Sequence, residues 1–531
     1  MASDTRASSD AAAAEQQPLL GPTSNGNNDS NASTSAPVSA GSAPAFRRNL
    51  GALEAFAIVI SIVIGSGIFT SPGAVDTNVP SPGAALGVWL VGGVLAWTGA
   101  ATLAELGTAI PGEGGVQPYL QYIYGDIVGF LAAWTWLVAV MPATLAILSI
   151  VFVESLATAT TGASGNGVDG QSLVHKLLSI AVLAAVSLAN SISTRVSARL
   201  NNFFVGTKFV AIGAVVVAAL AVAIVQTTSS KPGESLPGGH DWTSNWFAYR
   251  TTLNPDGSLT DWTQLSSWAL LGHVSAALYG ALWAYSGWDK AVYVSAELRE
   301  PARQLPLAIH AALPTIVLCF LAANAAYYVL LPWNVVSTTD SIAVTAFARL
   351  LGPAAGFAAA VLVCLVVAGS LLGNSFVAGR MAVAASNKNW IPRPFAVLGR
   401  LGRAPAKDSA AGDAPINALV LAATIGSIYI LLGNFRALLT FNGLGEFTFF
   451  FLTVLGAIVL RVREPDLPRP YKPLILAPIA FLLVSGFVVA RGAAFAPVQA
   501  LVLLVLWLLG AGYYYLRRWL QQQHAVVSQD E

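Results

Sequence analysis

Long apolar segments alternate with short polar ones along most of this chain of 531 residues. Each apolar segment reaches the roughly 20 residues that an α-helix needs to cross the hydrocarbon core of a bilayer. The pattern therefore predicts an all-α polytopic membrane protein. The predicted spans, one to twelve in chain order, cover about 51–78, 83–110, 123–160, 173–193, 201–226, 268–297, 306–331, 353–385, 415–433, 437–461, 472–491 and 495–516.

An even number of spans places both ends of the chain on the same side of the membrane. Basic residues are concentrated in the tails and loops of one side, beginning with Arg47 and Arg48 before the first span. The opposite side holds only Lys176, Lys231, Arg250, Arg349, Arg436 and Arg491. Because cytosolic loops carry the excess of lysine and arginine, we expect both termini in the cytosol. The longest predicted outer connection, about 227–267, is then either a lid or a folded surface loop.

Composition narrows the class of protein further. Hydrophobic residues make up 55% of the chain and charged residues only 10%, and the net charge of +1 gives no sign of nucleic-acid binding. Residues 1–46 are rich in Ala, Ser, Asn and Gln and predict a disordered cytosolic tail. A membrane domain at 47–518 and a short cytosolic tail at 519–531 follow. Cys319 and Cys364 lie in apolar segments, where we interpret them as small buried hydrophobic residues and not as a disulfide.

The first predicted span contains an interruption. Gly65 and Gly67 flank Ser66 near the middle of the apolar stretch 61–72, and each glycine costs a helix about 1 kcal/mol relative to alanine. Backbone that opens inside a bilayer is tolerated only where protein or a water-filled cavity satisfies its polar groups. We therefore expect the helix to open here and to form a binding site from its two ends.

The sixth predicted span is interrupted at a matching depth by Ser286 and Gly287. Spans one and six are five apart, as corresponding members of two five-helix halves would be, and matched interruptions indicate a transporter site between inverted repeats. Half-helix N-termini attract a carboxylate and opposing C-terminal carbonyls attract an ammonium, so the pair predicts a zwitterionic ligand. The competing interpretation is close helix packing, for which small residues are common in membrane helices. The same two interpretations apply in the eighth span to Ser370, Gly373 and Asn374.

Several motifs make the chain similar to a known family. They are Ile64-Gly65-Ser66-Gly67-Ile68-Phe69, Ala104-Glu105-Leu106-Gly107-Thr108 with Gly114-Gly115, Leu278 to Trp288 followed by Glu297-Leu298 and Leu305-Pro306-Leu307-Ala308-Ile309, and Leu460-Arg461-Val462-Arg463-Glu464-Pro465 through Arg469-Pro470. From about residue 50 to 518 the chain resembles the L-type amino acid transporter (LAT) branch of the amino acid–polyamine–organocation (APC) superfamily. The resemblance implies a LeuT-type 5+5 inverted repeat over about 51–461, with helices 1 and 6 interrupted, and two further helices over about 472–516. It also implies sodium-independent amino acid transport at the plasma membrane.

The resemblance also implies where the substrate binds. The backbone amides of Ser66 and Gly67 would take the substrate carboxylate. Carbonyls of Val63, Trp283 and Ser286 would take its ammonium. Trp283 stands where the family has an aromatic gate, and it is bulkier than the phenylalanine common in animal members, so a preference for methionine or another linear side chain is a secondary hypothesis. The implied substrate-binding set is Val63, Gly65, Ser66, Gly67, Trp283, Ser286 and Gly287.

Three charged residues inside the predicted spans are candidates for energy coupling: Lys208, Asp289 and Glu446. Lys208 matches a lysine that in sodium-independent relatives stands near the first span, where sodium-coupled relatives bind an ion. A lysine in an apolar span is functional or paired, unless it snorkels to the inner interface. Asp289 and Glu446 stand where the better-known animal members carry amides. Each is either ionised and paired with Lys290 or a helix end, or protonated and able to carry a proton.

Partners and chemistry complete the prediction. Animal LAT proteins bond a single-span glycoprotein through an outer-loop cysteine, but the corresponding loop here, about 160–173, contains none. We therefore expect no disulfide-linked heavy-chain subunit, which suits a fungal-type member working alone. An amino acid substrate and the lipid bilayer are the expected partners, with no cofactor, metal or nucleic acid. No nucleophile–base or metal-ligand spacing predicts an enzyme, and the alternative function is a non-transporting amino acid receptor on the same fold.

Overall fold

A computed structural model describes residues 51–110, 115–161, 172–192, 194–228, 241–254, 257–292, 298–397 and 414–527. Within these ranges the chain is predominantly helical, as predicted. The predicted tail 1–46 lies outside the described residues. The α-helices are α1 (Ala52–Val63), α2 (Gly67–Asp76), α3 (Pro82–Ala109), α4 (Val116–Tyr124), α5 (Asp126–Thr135), α6 (Met141–Thr161), α7 (Leu173–Ile192), α8 (Thr194–Thr228), α9 (Ser267–Tyr285), α10 (Pro301–Leu330), α11 (Trp333–Val336), α12 (Ile342–Leu351), α13 (Pro353–Asn387), α14 (Ile416–Leu432), α15 (Phe435–Arg463), α16 (Leu476–Phe495) and α17 (Pro497–Val527).

Shorter elements connect some of these helices. A π-helix at Trp136–Val140 joins α5 to α6, and 3-10 helices occupy Trp288–Val292 and Arg393–Ala396. An antiparallel hairpin of β1 (Thr252–Leu253) and β2 (Leu259–Thr260) lies between α8 and α9. At the end of the chain, α17 continues to Val527, through most of the stretch predicted as a short tail.

Nine helices in the described ranges are long and apolar enough to cross a membrane. They are Pro82–Ala109, Asp126–Ala157, Leu173–Ser191, Gly206–Thr228, Pro301–Leu330, Pro353–Asn387, Phe435–Arg463, Leu476–Phe495 and Pro497–Gln523. Each coincides with a predicted span. The other three predicted spans coincide with α1 and α2 together, with α9, and with α14, and α1 and α2 are too short to cross separately because they have 12 and 10 residues. The chain is thus a polytopic helical membrane protein, and the count of twelve spans stays a prediction.

Helices that are five spans apart pack against each other. α3 lies along α10, α6 lies along α13, and α2 lies against α9, and these are among the most extensive helix contacts in the described structure. In the predicted order these are spans two and seven, three and eight, and one and six. Contact between corresponding members is what two intertwined halves produce. The contacts therefore agree with the predicted inverted repeat.

The interruptions in the first and sixth predicted spans are confirmed. α1 ends at Val63 and α2 begins at Gly67, so residues 64–66 lie outside regular helix. α9 ends at Tyr285, and Gly287 follows it with a φ of 103°. A side chain with a Cβ rarely adopts a positive φ because the Cβ approaches the backbone too closely, so Gly287 allows the helix to end at this point.

Each interruption packs against the chain that leads into the other. A Cβ added to Gly67 would overlap the Cα of Ala284, which lies near the end of α9. A Cβ added to Gly287 would lie 2.6 Å from Cγ2 of Ile62, which lies near the end of α1. Both glycines are therefore required for close approach as well as for opening the helices. The close-packing interpretation therefore applies to both glycines, and their part in a binding site stays a prediction.

Three aromatic rings hold the end of α9 in place. Tyr285, the last residue of α9, is fully buried and its ring centroid lies 4.8 Å from that of Phe320 in α10. Trp89 of α3 completes the triangle, with its ring centroid 6.1 Å from Tyr285 and 5.9 Å from Phe320. Offset and edge-to-face arrangements at these distances are favourable, and each large ring also buries apolar area. The interruption at 286–287 therefore begins from a rigid support.

The stretches that carry the family resemblance meet in a buried charge cluster. Glu105 of α3 is almost fully buried and forms salt bridges with Arg461, near the end of α15, and with Arg469 in the following loop. Nε of Arg461 donates to Oε1 of Glu105 at 2.9 Å, and Nε of Arg469 lies 3.3 Å from the same oxygen. Arg469 also donates to the backbone carbonyls of Leu460 and Glu464. Because a buried charge is tolerated when it is paired and hydrogen-bonded, this cluster ties α3 to α15.

The described part of the long connection between α8 and α9 folds against the C-terminal end of α2. Arg250 forms a salt bridge with Asp76, which is fully buried at the end of α2. The Tyr328 hydroxyl of α10 donates to the same carboxylate at 2.7 Å. The amide of Gly83 donates to the carbonyl of Trp246 at 2.7 Å. The connection is therefore a folded loop in its described part, packed on the first span.

Candidate functional site

A partly open cleft lies between the two interruptions. Six of the seven predicted substrate-binding residues line it, and the seventh, Gly287, packs on Ile62, which lines it too. The structure therefore brings the predicted set together. The lining residues are Ile62, Val63, Gly65, Ser66, Gly67, Thr144, Leu148, Trp283, Ala284, Ser286, Lys290, Ser370 and Asn374.

The start of α2 supplies backbone N–H groups to this cleft. α2 begins at Gly67, with Ser66 as its N-cap residue, and both residues are buried. The first N–H groups of a helix have no acceptor within that helix, and the helix dipole adds partial positive charge at the same end. The N–H of Phe69, about one turn into α2, already donates to the carbonyl of Ser66 at 2.9 Å. The end of α2 at Ser66 and Gly67 is thus complementary to an anion such as a carboxylate.

The ends of α1 and α9 supply backbone carbonyls on the opposite side of the interruption. α1 ends at Val63, and the last carbonyls of a helix have no donor within it. The carbonyl of Trp283 accepts the amide of Ser286 at 3.0 Å. A carbonyl oxygen has two lone pairs, so the Trp283 carbonyl retains one acceptor position. These oxygens, with the partial negative charge of a helix C-terminus, are complementary to an ammonium group.

The neighbouring helices contribute side chains that close the cleft. Thr144 and Leu148 come from α6, and Ser370 and Asn374 come from α13. The Ser370 hydroxyl is buried without a hydrogen-bond partner among the described residues, and a Cβ added to Gly65 would lie 3.2 Å from its Oγ. Ser370 and Asn374 therefore face the cleft, the first of the two predicted interpretations.

Sequence reasoning missed Ile62, Thr144, Leu148, Ala284 and Lys290 as lining residues. Thr144 and Leu148 are four residues apart, as Ser370 and Asn374 are, so each pair lies on one face of its helix. Polar residues inside apolar spans, Thr144 in span three and Ser370 with Asn374 in span eight, were the signal available in the sequence. It became decisive only once the structure placed α6 and α13 side by side.

The three candidate coupling residues are buried, but they do not line the cleft. Lys208 is 3% exposed within α8, and it is absent from the described lining. Asp289 and Glu446 are 0% and 5% exposed, and they interact electrostatically with each other and with Lys290. Asp289 has no side-chain hydrogen-bond partner in the described part of the chain, and the backbone N–H groups of Gly287, Asp289 and Lys290 interact with its carboxylate. Lys290 donates to Oδ1 of Asn374 at 2.6 Å. The alternatives for Asp289, ionised and paired with Lys290 or a helix end, or protonated, stay predictions.

Other candidate chemistry is absent from the described residues. They contain no group of three or more His, Cys, Asp or Glu side chains that is arranged to hold a metal ion. Cys319 and Cys364 are free thiols, the second buried and the first half-buried. The loop at about 160–173 contains no cysteine that could bond a heavy-chain subunit, and it lies largely outside the described residues.

Comparison with known proteins identifies the family once this geometry is known. A profile described as "Amino acid permease" matches residues 50–509, which is most of the chain. The chain belongs to the amino acid permease family. The match includes both interruptions and the Glu105 cluster. The family consists of transporters and not enzymes, as the sequence predicted.

Individual relatives place the chain in the LAT branch. It is 30% identical over 471 residues to the b(0,+)-type amino acid transporter 1 of Homo sapiens, covering 88% of this chain and 87% of the relative. It is 28% identical over 491 residues to the large neutral amino acids transporter small subunit 2 of Homo sapiens, covering 92% of this chain and 84% of the relative. These relatives support amino acid transport by a multi-pass membrane protein.

Proposed function

We propose that this chain is a sodium-independent secondary transporter of neutral L-amino acids that works by alternating access. One observation carries the proposal: the two interruptions meet at one cleft, with helix N-terminal amides and helix C-terminal carbonyls both at its wall. An α-amino acid carries one carboxylate and one ammonium a short distance apart, so it satisfies both helix ends at once.

The roles of the site residues follow from this arrangement. Ser66 and Gly67 amides bind the carboxylate, and the carbonyls of Val63, Trp283 and Ser286 bind the ammonium. Gly65 and Gly287 keep the interruptions open. Trp283 closes over the bound substrate from the outer side, where its ring leaves less room than a smaller aromatic residue would. A preference for linear side chains such as methionine follows.

Energy for uptake comes either from exchange with an internal amino acid or from a proton gradient. Lys208 supplies a positive charge in place of the sodium ion of coupled relatives, which accounts for sodium independence. Asp289 and Glu446 are the candidates for carrying a proton, because both carboxyl groups are buried within membrane-spanning protein, where an ionised carboxylate is costly. The protein acts in the plasma membrane with both termini in the cytosol, as the distribution of basic residues indicates.

Reconstituted uptake tests the proposal. Purified protein in liposomes is expected to accumulate radiolabelled leucine or methionine without sodium, with stimulation either by internal amino acid or by an imposed inward proton gradient. Empty liposomes and addition of sodium are the controls. Tight binding of leucine without any flux under either condition would support the non-transporting receptor instead. The protein is expected to do this alone, so addition of a heavy-chain subunit is not required.

A further inference from the structure

Lys290 is the one charged side chain among the described residues that line the cleft. It lies in the 3-10 helix Trp288–Val292, directly after the interruption of the sixth predicted span, and it is 6% exposed. Its Nζ donates to Oδ1 of Asn374 at 2.6 Å. Nδ2 of Asn374 in turn donates to the backbone carbonyl of Ser370 at 2.9 Å. The amide is therefore oriented with its oxygen toward the ammonium, and the two side chains form a fixed pair in the wall of the cleft.

Two carboxylates lie near this ammonium but outside the cleft. Asp289 and Glu446 interact with Lys290 electrostatically, yet neither lines the cleft, and neither forms a salt bridge with Lys290 in the described structure. An ammonium group has three donors, and Asn374 takes one of them. The ammonium of Lys290 therefore lies at the wall of the cleft, whereas the two carboxylates do not line it.

The position of the pair determines which part of a substrate it meets. In the proposed function, on which this step rests, the two interruptions bind the carboxylate and ammonium that all α-amino acids share. The side chain then meets the other lining residues, which include Thr144 and Leu148 of α6 and the Lys290–Asn374 pair. Groups that contact the variable part of a substrate set specificity, and unfavourable contacts exclude competitors as effectively as favourable contacts select ligands.

We propose that Lys290, held by Asn374, is a specificity-determining residue that excludes amino acids with cationic side chains. A lysine or arginine substrate would place a second positive charge in the cleft that Lys290 lines. Two like charges about 8 Å apart, at an effective dielectric constant of about 20, repel enough to weaken binding by at least about tenfold. Neutral side chains, such as those of leucine and methionine, do not suffer this repulsion.

The test compares inhibition by lysine and by leucine. Radiolabelled leucine uptake into liposomes gives an inhibition constant for each, and their ratio measures discrimination. In Lys290→Met the ratio of the lysine constant to the leucine constant is expected to fall at least about fivefold, since the variant keeps the length of the side chain and removes its charge. Lys290→Arg is expected to keep the wild-type ratio. Lys388→Met is the matched control because Lys388 is exposed and lies outside the cleft.

The outcomes separate this proposal from the function on which it rests. An unchanged ratio in Lys290→Met, with leucine uptake retained, overturns the specificity role of Lys290 and leaves the proposed transport function intact. If Lys290→Met takes up nothing, the ratio of the lysine constant to the leucine constant is measured from binding instead. Displacement of radiolabelled leucine from the purified variant, and from Lys290→Gln, provides both constants. If neither variant binds leucine, Lys290 is needed for binding itself and the specificity role is wrong. Failure of the wild-type protein to bind or move any amino acid contradicts the proposed function instead.

Discussion

Replacement of Gly287 by alanine tests whether the interruption of the sixth predicted span builds the site. Gly287 has a φ of 103°, and a Cβ at this position would lie 2.6 Å from Cγ2 of Ile62. The methyl group meets a β-branched side chain whose Cγ2 cannot rotate away freely, and the carbonyl oxygen of Ile62 lies behind it at 3.4 Å. The end of α1 must therefore move, or the residue must leave its positive φ and close the interruption.

The size of the effect follows from these two causes. The left-handed conformation costs a residue with a Cβ about 1–2 kcal/mol, and overpacking of a closely packed contact costs about 1–3 kcal/mol. We expect Gly287→Ala to destabilise the protein by roughly 2–5 kcal/mol and to weaken leucine binding strongly, because both helix ends at the cleft shift. Ile62→Ala in the same protein removes the clash but not the backbone strain, so it is expected to restore only part of the loss.

The assay uses purified protein in detergent, with the thermal midpoint as a measure of stability and radiolabelled leucine as the ligand. Gly213→Ala is the matched control, since Gly213 lies in α8 and nothing lies within 4 Å of an added Cβ. That control is expected to be neutral, or stabilising by up to about 1 kcal/mol because alanine favours a helix. Wild-type stability and wild-type leucine affinity in Gly287→Ala would refute the reasoning.

Three further substitutions test other parts of the structure. Trp283→Ala is expected to lower the rate of leucine uptake and to speed its loss to the outer side, measured in liposomes; unchanged flux in both directions would show that Trp283 is not the gate. Glu105→Ala leaves Arg461 and Arg469 buried and unpaired and is expected to destabilise the protein by about 3–5 kcal/mol. Glu464→Ala removes the partly exposed partner of Arg463 and is expected to cost about 1 kcal/mol or less. Thermal midpoints that fall equally in the two variants would contradict the assignment of Glu105. Glu446→Gln is expected to abolish stimulation of uptake by an inward proton gradient, and stimulation that survives would exclude Glu446 as the coupling acid.

Much of the fold was predictable because apolar length and small-residue interruptions are local properties of the sequence. The runs of about 20 apolar residues coincide with the described long helices, and glycines at 65, 67 and 287 identified both interruptions. The position at which α17 ends was harder to predict from the sequence. The polar run from Gln521 to His524 interrupts the apolar pattern, yet the helix continues to Val527, because helical structure does not require the apolar character by which a span is recognised.

The candidate site was predictable where it is made of backbone and less so where it is made of distant side chains. Ser66 and Gly67 stand out within one short segment. The Lys290–Asn374 hydrogen bond joins residues that are 84 positions apart in sequence, and no local pattern connects them. The close approach of Gly67 to Ala284 likewise depends on how α2 packs against α9. Such contacts follow from tertiary packing, so only the structure reveals them.

The most direct test of the account is a comparison of leucine with analogues that lack one of its two charged groups. Inhibition of radiolabelled leucine binding is measured for leucine, its methyl ester, its deaminated acid and its decarboxylated amine. Because hydrogen bonds to charged groups contribute about 1.5–3 kcal/mol each, the loss of either charge is expected to weaken inhibition by at least about tenfold. An ester, acid or amine that inhibits as well as leucine would contradict binding of the zwitterion by the two interrupted helices.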